Sequence, residues 1–220
     1  MATQYSREAD VALALKMADA ADVISMARYQ SQDLVITTKP DNTPVTDADK
    51  ATEKALRDIL AKERPDDGLV GEEFGNFGLE KNRYWVIDPI DGTKNFLRGV
   101  PTWATLIALM EKSSDGSEKV VVGVVSAPAL FRRWYAFEGG GAFVIVDKDG
   151  GGASSTPRKI SVSAVSKIED ASISHSDFQG WGERLEPFRT LLDQAWRTRA
   201  HGDFWSHMLV AEGAVDIAVE

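Results

Sequence analysis

Trp85-Val-Ile-Asp-Pro-Ile-Asp-Gly-Thr93 is the stretch whose reading decides the fold. Its three leading apolar residues, Trp85-Val-Ile87, read as a buried strand that delivers Asp88 at its end. Pro89 has no N–H to donate, so the strand ladder is expected to stop there. Asp91 follows Asp88 by three residues, close enough in a tight turn for both carboxylates to share one cation. Gly92 frees the backbone to bend and lets an anion approach closely. If Thr93 opens a helical turn, N–H groups from Gly92 onward can face phosphate oxygens. Carboxylates packed this closely repel each other until something neutralises them. Hard oxygen ligands in turn geometry suit Mg²⁺, or Mn²⁺, with water and a substrate phosphate completing the shell. Glu72, just after the apolar strand end Leu69-Val-Gly71, is the candidate third carboxylate. An isolated Asp-Gly is an ordinary turn; strand, turn and upstream Gly71-Glu-Glu73 together point to a metal and phosphate site.

Working outward, residues 7–29 carry apolar side chains at helical spacing with no Gly or Pro, which predicts a long amphipathic helix. A short strand, Leu34-Val-Ile-Thr37, is expected before Lys39-Pro-Asp-Asn-Thr-Pro-Val-Thr46, where two prolines disfavour regular structure. Thr46 or Asp47 is the expected cap of a second helix, 47–63, with Ala51, Ala55, Leu56, Ile59 and Leu60 inward. Strands are expected at 69–70, 84–87, 104–109, 119–125, 134–137 and 142–146, the last two joined by Glu138-Gly-Gly-Gly141. Residues 147–157, rich in Gly and Ser, read as a flexible boundary between an N-terminal α+β part, 1–146, and a C-terminal α/β part, 158–220. In the second part, strands near 159–162 and 171–174 precede a helix near 181–194, a helix at 203–213 and a last strand at 215–219. Helices first, then mostly antiparallel strands, then alternating β and α predict a layered α+β fold continuing into α/β.

The 34 acidic against 25 basic residues give a net charge of -9, and no Lys/Arg cluster suggests a nucleic-acid partner. No cysteine is present, which excludes disulfides, thiolate metal sites and a cysteine nucleophile. The polar N-terminus lacks a signal pattern, and no apolar run approaches the roughly 18 residues of a bilayer span, so a cytoplasmic location without membrane partners is the expectation. His175, His201 and His207 are not spaced as a zinc site.

Gly71-Glu-Glu73, the run Trp85–Phe96 and Leu209-Val-Ala-Glu-Gly-Ala-Val-Asp216 resemble the inositol monophosphatase superfamily over nearly the whole chain. The runs Lys39–Asp49, Gly123–Leu130 and His201-Gly-Asp-Phe204 are most similar to its histidinol-phosphate phosphatase branch, particularly the actinobacterial members. The resemblance implies a layered αβαβα sandwich and a site with two or three Mg²⁺ ions. It implies that Glu72, Asp88 and the Ile90 carbonyl hold the first ion, and that Asp88 bridges to a second held by Asp91. Glu72 and Thr93 would orient the attacking water, and Asp47 would accept a hydrogen bond from the Thr93 hydroxyl. Read without the resemblance, Asp47 is an ordinary helix cap.

On the substrate side, Asp91, Gly92 and Thr93 would meet the phosphate, Gly202, Asp203 and Glu220 the rest of the molecule, and Arg199 either of the two unless it is simply a strand-edge charge. Histidinol is cationic and inositol neutral, so acidic Asp203 and Glu220 favour a cationic alcohol. Asp203 also reads as a simple N-cap. The resemblance further implies a homodimer acting on a small phosphorylated alcohol. It also implies a Trp-Asp pair about seven residues beyond Glu220, so a shortened site with impaired activity is a competing expectation to an active phosphatase of histidinol phosphate, inositol phosphate or broader range.

Overall fold

Ser6 starts the first helix of the computed structural model, which describes residues 5–40, 43–113, 115–147 and 156–220. Its hydroxyl accepts from the Ala9 N–H at 3.2 Å and caps α1 (Arg7–Arg28). One face of α1, with Val11, Leu13, Ala14, Met17, Ala18 and Ala21, is buried. The strand expected from Leu34 starts at Ile36: β1 (Ile36–Thr38) pairs antiparallel with β2 (Pro44–Thr46). Regular structure at β2 departs from expectation. Pro44 is the first residue of its strand, where a missing donor is tolerated. Asp41 and Asn42, part of the irregular segment expected there, lie outside the described residues.

Thr46, rather than Asp47, caps α2 (Asp47–Glu63). Its hydroxyl accepts from the N–H groups of Ala48 at 3.1 Å and Asp49 at 3.3 Å, and the Asp49 carboxylate reaches back to the Thr46 N–H at 2.8 Å. This is a reciprocal capping box. The buried face of α2 is also rotated from expectation. Ala51 is exposed, and Ala48, Asp49, Thr52, Glu53, Leu56 and Leu60 point inward.

Next come β3 (Gly68–Gly71), β4 (Arg83–Asp91), α3 (Thr93–Leu97), β5 (Ala104–Lys112), β6 (Glu118–Ala127), β7 (Arg132–Phe137) and β8 (Gly141–Val146). These strands neighbour one another in chain order; β3 runs parallel to β4, and every later pair through β8 is antiparallel. The helices α1 and α2 pack on each other, α1 also against β5 and β6, α2 also against β4. Met17, Leu56, Leu69, Trp85, Ile107, Leu109 and Val121 fill the space between, each 2% exposed or less. At about 25 cal/mol per Å² of apolar area removed from water, this layer is the main stabilising term.

Pro89 does not end β4, contrary to expectation. Asp88 pairs with Leu106 and Asp91 with Ala104, so β4 carries one extra residue over this span. Such a bulge accommodates a proline and re-aims the side chains beside it. The Thr105 hydroxyl donates to the Pro89 carbonyl at 2.8 Å and pins the bulge. Below it, Ile90 packs with Ala48, Phe96 and Trp103. Phe96 meets Trp103 edge-on at 4.9 Å, and Tyr29 leans on both at 5.5 and 5.3 Å.

The chain divides into two compact units, Met1–Pro157 and Arg158–Glu220. Of the boundary segment expected at 147–157, residues 148–155 lie outside those described. The second unit holds β9 (Arg158–Ile160), β10 (Ser172–His175), α4 (Leu185–Gln194), β11 (Arg197–Ala200), α5 (Asp203–Ala211) and β12 (Ile217–Val219). Here β10 lies between β11 and β12, parallel to both. The alternating β and α expected for this part is present, with α4 beginning at Leu185 rather than near 181.

Candidate active site

Strand register brings the first two carboxylates together. Gly71 lies opposite Ile87 in the parallel β3–β4 pair, so Glu72, leaving β3, comes beside Asp88, which continues in β4. Glu72 acts on Asp88 as a close negative neighbour. The Asp88 carboxylate also accepts the Ile90 N–H at 3.1 Å. Burial, then the negative charges of Glu72 and Asp91, push the Asp88 carboxyl up to about 9. Glu73 and Asp49 are likewise raised, chiefly by burial and with Glu72 as a repelling neighbour.

Lys39, between β1 and β2, balances part of this charge. Its ammonium lies 2.6 Å from Glu72 and 2.7 Å from Glu73. Burial works against that positive charge, but the two carboxylates outweigh it and hold Lys39 above its ordinary value. Among the described residues no three acidic or imidazole groups already converge as a ready-made cation cage. The donor set still fits a divalent cation. A buried carboxyl held protonated by two acidic neighbours is one that a dication would ionise. With only carboxylate and carbonyl oxygens on offer, the chemistry favours Mg²⁺ or Mn²⁺ over zinc.

Gly92 sits in the left-handed region at φ 81° and turns the chain from β4 into α3, which Thr93 opens as expected. An L side chain would be strained there. The Thr93 hydroxyl lies 3.0 Å from the Ile90 carbonyl and 3.4 Å from Asp49 Oδ1. The Ile90 oxygen keeps a second lone pair for a cation.

The expected Thr93–Asp47 hydrogen bond is therefore replaced by one to Asp49. Asp47 instead pairs with Arg28 at 2.8 Å and accepts the Val35 N–H at 3.3 Å. Residues two apart on a helix point to nearly opposite sides, so only one of this pair can face the site. Asp49 is 1% exposed and faces inward. The sequence did carry a signal for it, the capping-box spacing of Thr46 and Asp49. Sequence reasoning also passed over Lys39 and Glu73 as site residues; Lys39 carried no local signal, whereas Glu73 stands in the Gly-Glu-Glu run itself.

The remaining expected residues, Arg199, Gly202, Asp203 and Glu220, belong to the second unit. His175 of β10 is in register with Ala200 of β11 and Val219 of β12. All four therefore lie at or just past the carboxyl ends of parallel strands, where α/β sheets bind ligands. The Gly202 N–H donates to the His175 carbonyl at 3.1 Å. Gly202 occupies the cap of α5, so Asp203 is the first helical residue and not the N-cap. Burial, with Arg197 and Arg199 adding to it, lowers His201 from its ordinary value.

A parallel strand pair ending in two carboxylates, beside a bulged Asp-Pro-Ile-Asp-Gly-Thr turn, defines the class. The chain belongs to the inositol monophosphatase family, whose model matches residues 4–220, and that family is one of phosphoric monoester hydrolases. The chain is 52% identical to a histidinol-phosphatase of Streptomyces coelicolor over 96% of its own length and 77% of that protein. It is 53% identical to a histidinol-phosphatase of Mycobacterium tuberculosis over 96% of its length and 78% of the relative's. Among solved structures, an inositol monophosphatase from Zymomonas mobilis superposes with a TM-score of 0.78 at 29% identity, covering 99% of this chain and 78% of that one.

Proposed function

We propose that the protein is a Mg²⁺-dependent phosphatase that hydrolyses histidinol phosphate to histidinol and inorganic phosphate. The observation that carries the chemistry is the meeting of Glu72 and Asp88 at the exit of the β3–β4 pair. Glu72, Asp88, Asp91 and the Ile90 carbonyl are the residues that would hold the cations, two or three of them. When bound, such ions lower the pKa of a coordinated water and neutralise phosphate oxygens.

The chain's own residues supply position. Glu72 and the Thr93 hydroxyl orient the attacking water, and Asp49, rather than Asp47, is the carboxylate within hydrogen-bond reach of the Thr93 hydroxyl; a hydrogen bond to it strengthens Thr93 as an acceptor. The water oxygen bonds to phosphorus while the ester P–O bond breaks, and the proton that the water gives up balances the one that the departing alcohol takes up. No covalent bond to the enzyme forms, so the work is largely alignment. Gly92 and Thr93 face the phosphate.

Within the second unit, acidic Asp203 and Glu220 favour a cationic group by direct attraction, and Gly202 and Arg199 stand at the same strand ends. Identity of 52–53% to two proteins named as histidinol-phosphatases supports this choice over inositol phosphate. The family resemblance also supports a homodimer. Among the described residues no helix is long and apolar enough to cross a membrane, and a small phosphorylated substrate suits a cytoplasmic enzyme.

Turnover of histidinol phosphate, inositol 1-phosphate and a bisphosphorylated nucleotide, each with saturating Mg²⁺, tests the assignment. Histidinol phosphate should give the highest kcat/KM. A preference for either competitor of about tenfold or more overturns the substrate while leaving the phosphatase chemistry intact.

A further inference from the structure

One fully buried carboxylate takes no part in the chemistry above. Glu53, on the inner face of α2, is 0% exposed and accepts the N–H of Glu73 at 2.6 Å and of Phe74 at 3.2 Å. Arg57, one turn further on, donates to the same carboxylate at 2.8 Å and also to the Gly75 carbonyl. Its guanidinium lies 5.8 Å from the Phe74 ring. The chain that follows β3 is thus held at both ends of a short run, by an acceptor at 73–74 and a donor at 75. Gly71 makes the close approach possible. A Cβ there would lie 2.1 Å from Glu53 Oε1 and 2.4 Å from Arg57 Nη2.

We propose that Glu53 and Arg57 are positioning residues that clamp the Gly71–Gly75 turn and thereby fix Glu72 against Asp88 for cation binding. The inference rests on the metal-site reading above and deepens it. Burying a carboxylate is costly, and Glu53 is offset by one guanidinium and two backbone donors directed at it. None of these partners is a hydrophobic-core element; all belong to the turn that presents Glu72, or to the arginine that grips the same turn. Groups that orient metal ligands in this way typically change affinity by about 10–100-fold when removed.

The test is direct Mn²⁺ binding by the purified chain, followed by the loss of the free-ion EPR signal, per mole of folded protein. Glu53→Gln places an N–H₂ group among backbone donors and should weaken binding by about tenfold. Arg57→Gln, at a partly exposed position less damaging to folding, should weaken it in the same direction. Val144→Ala on β8 serves as a destabilised control, and its affinity should stay within about twofold of wild type because additivity holds for distant sites. Affinity of both clamp variants within about twofold of wild type overturns the clamp while leaving the metal site standing. Wild-type binding no better than that of Asp88→Asn overturns the metal-site reading itself, and the clamp with it.

Discussion

The Asp88–Thr93 turn and the inner face of α2 form two sides of one site, yet they are encoded differently. The turn states its chemistry locally. A strand, a proline, two aspartates and a glycine stand in consecutive positions, each required by the bend or the charge it carries. The helix face states almost nothing locally. Asp49, Glu53 and Arg57 are spaced four apart, which reads as an exposed charged stripe until packing turns it inward. Four-residue spacing then does what a linear motif cannot. One helix edge delivers Asp49 to Thr93 on the β4–α3 side and Glu53 to the turn after β3. Reactive groups can be local while their orientation is held from a distance.

The comparison breaks first at Asp88. Asp88→Asn keeps the shape of the side chain but removes the central charge, and Mg²⁺-dependent turnover should fall to less than a few per cent of wild type. Electrostatic groups at developing charge are worth about 10²–10³ in rate. Thermal unfolding should show Tm unchanged or slightly raised, because the neutral amide needs no proton taken up on folding into this buried, acidic setting. Retained activity well above that level removes Asp88 from the site.

The second expectation separates the two neighbouring aspartates on α2. Asp49→Asn should lower kcat by about 10²-fold, the lower end of what an acid–base partner contributes. Asp47→Asn should lower it by less than about threefold, since losing a partly exposed ion pair to Arg28 costs about 1 kcal/mol or less. Steady-state kinetics with both variants decides it, and the opposite ranking would return the role to Asp47.

How far the sequence was legible follows the same division. That Asp88, Asp91, Gly92 and Thr93 share one bend, and that Glu72 follows a strand, was readable because turn chemistry and strand pattern act between near neighbours. The bounds of α2 were readable from Thr46 and the apolar spacing. Its buried face was readable only in part: Leu56 and Leu60 are buried as expected, but Ala51 looks more suited to a core than Asp49 and Glu53 do. The partners that make burial of those acids tolerable, Thr93 and the N–H groups of Glu73 and Phe74, lie 20 or more residues away. Pro89 misled for a related reason. A proline ends a regular ladder, but Thr105 on the next strand supplies the hydrogen bond that holds a bulge open. Lys39 had no signal, since its pairing with Glu72 and Glu73 depends on how the β1–β2 connection folds back.

The smallest effect probes the charge balance that joins the two sides. Asp88 is held up to about 9, so the folded protein without metal keeps a proton that the unfolded chain gives up near pH 4. A group with this sign contributes stability at low pH and loses it as pH rises from the unfolded toward the folded value. In EDTA, raising the pH from about 6 to about 8 should therefore lower Tm, by about 3–8 °C once the 1.4 kcal/mol-per-unit ceiling is reduced for partial solvent access. Millimolar Mg²⁺ should flatten this dependence, because a dication stabilises the ionised cluster that the proton otherwise relieves. In Asp88→Asn the slope should largely vanish without any metal. A slope that persists in Asp88→Asn would assign the pH dependence to Asp49 and Glu73 on the other side of the site, both also raised by burial.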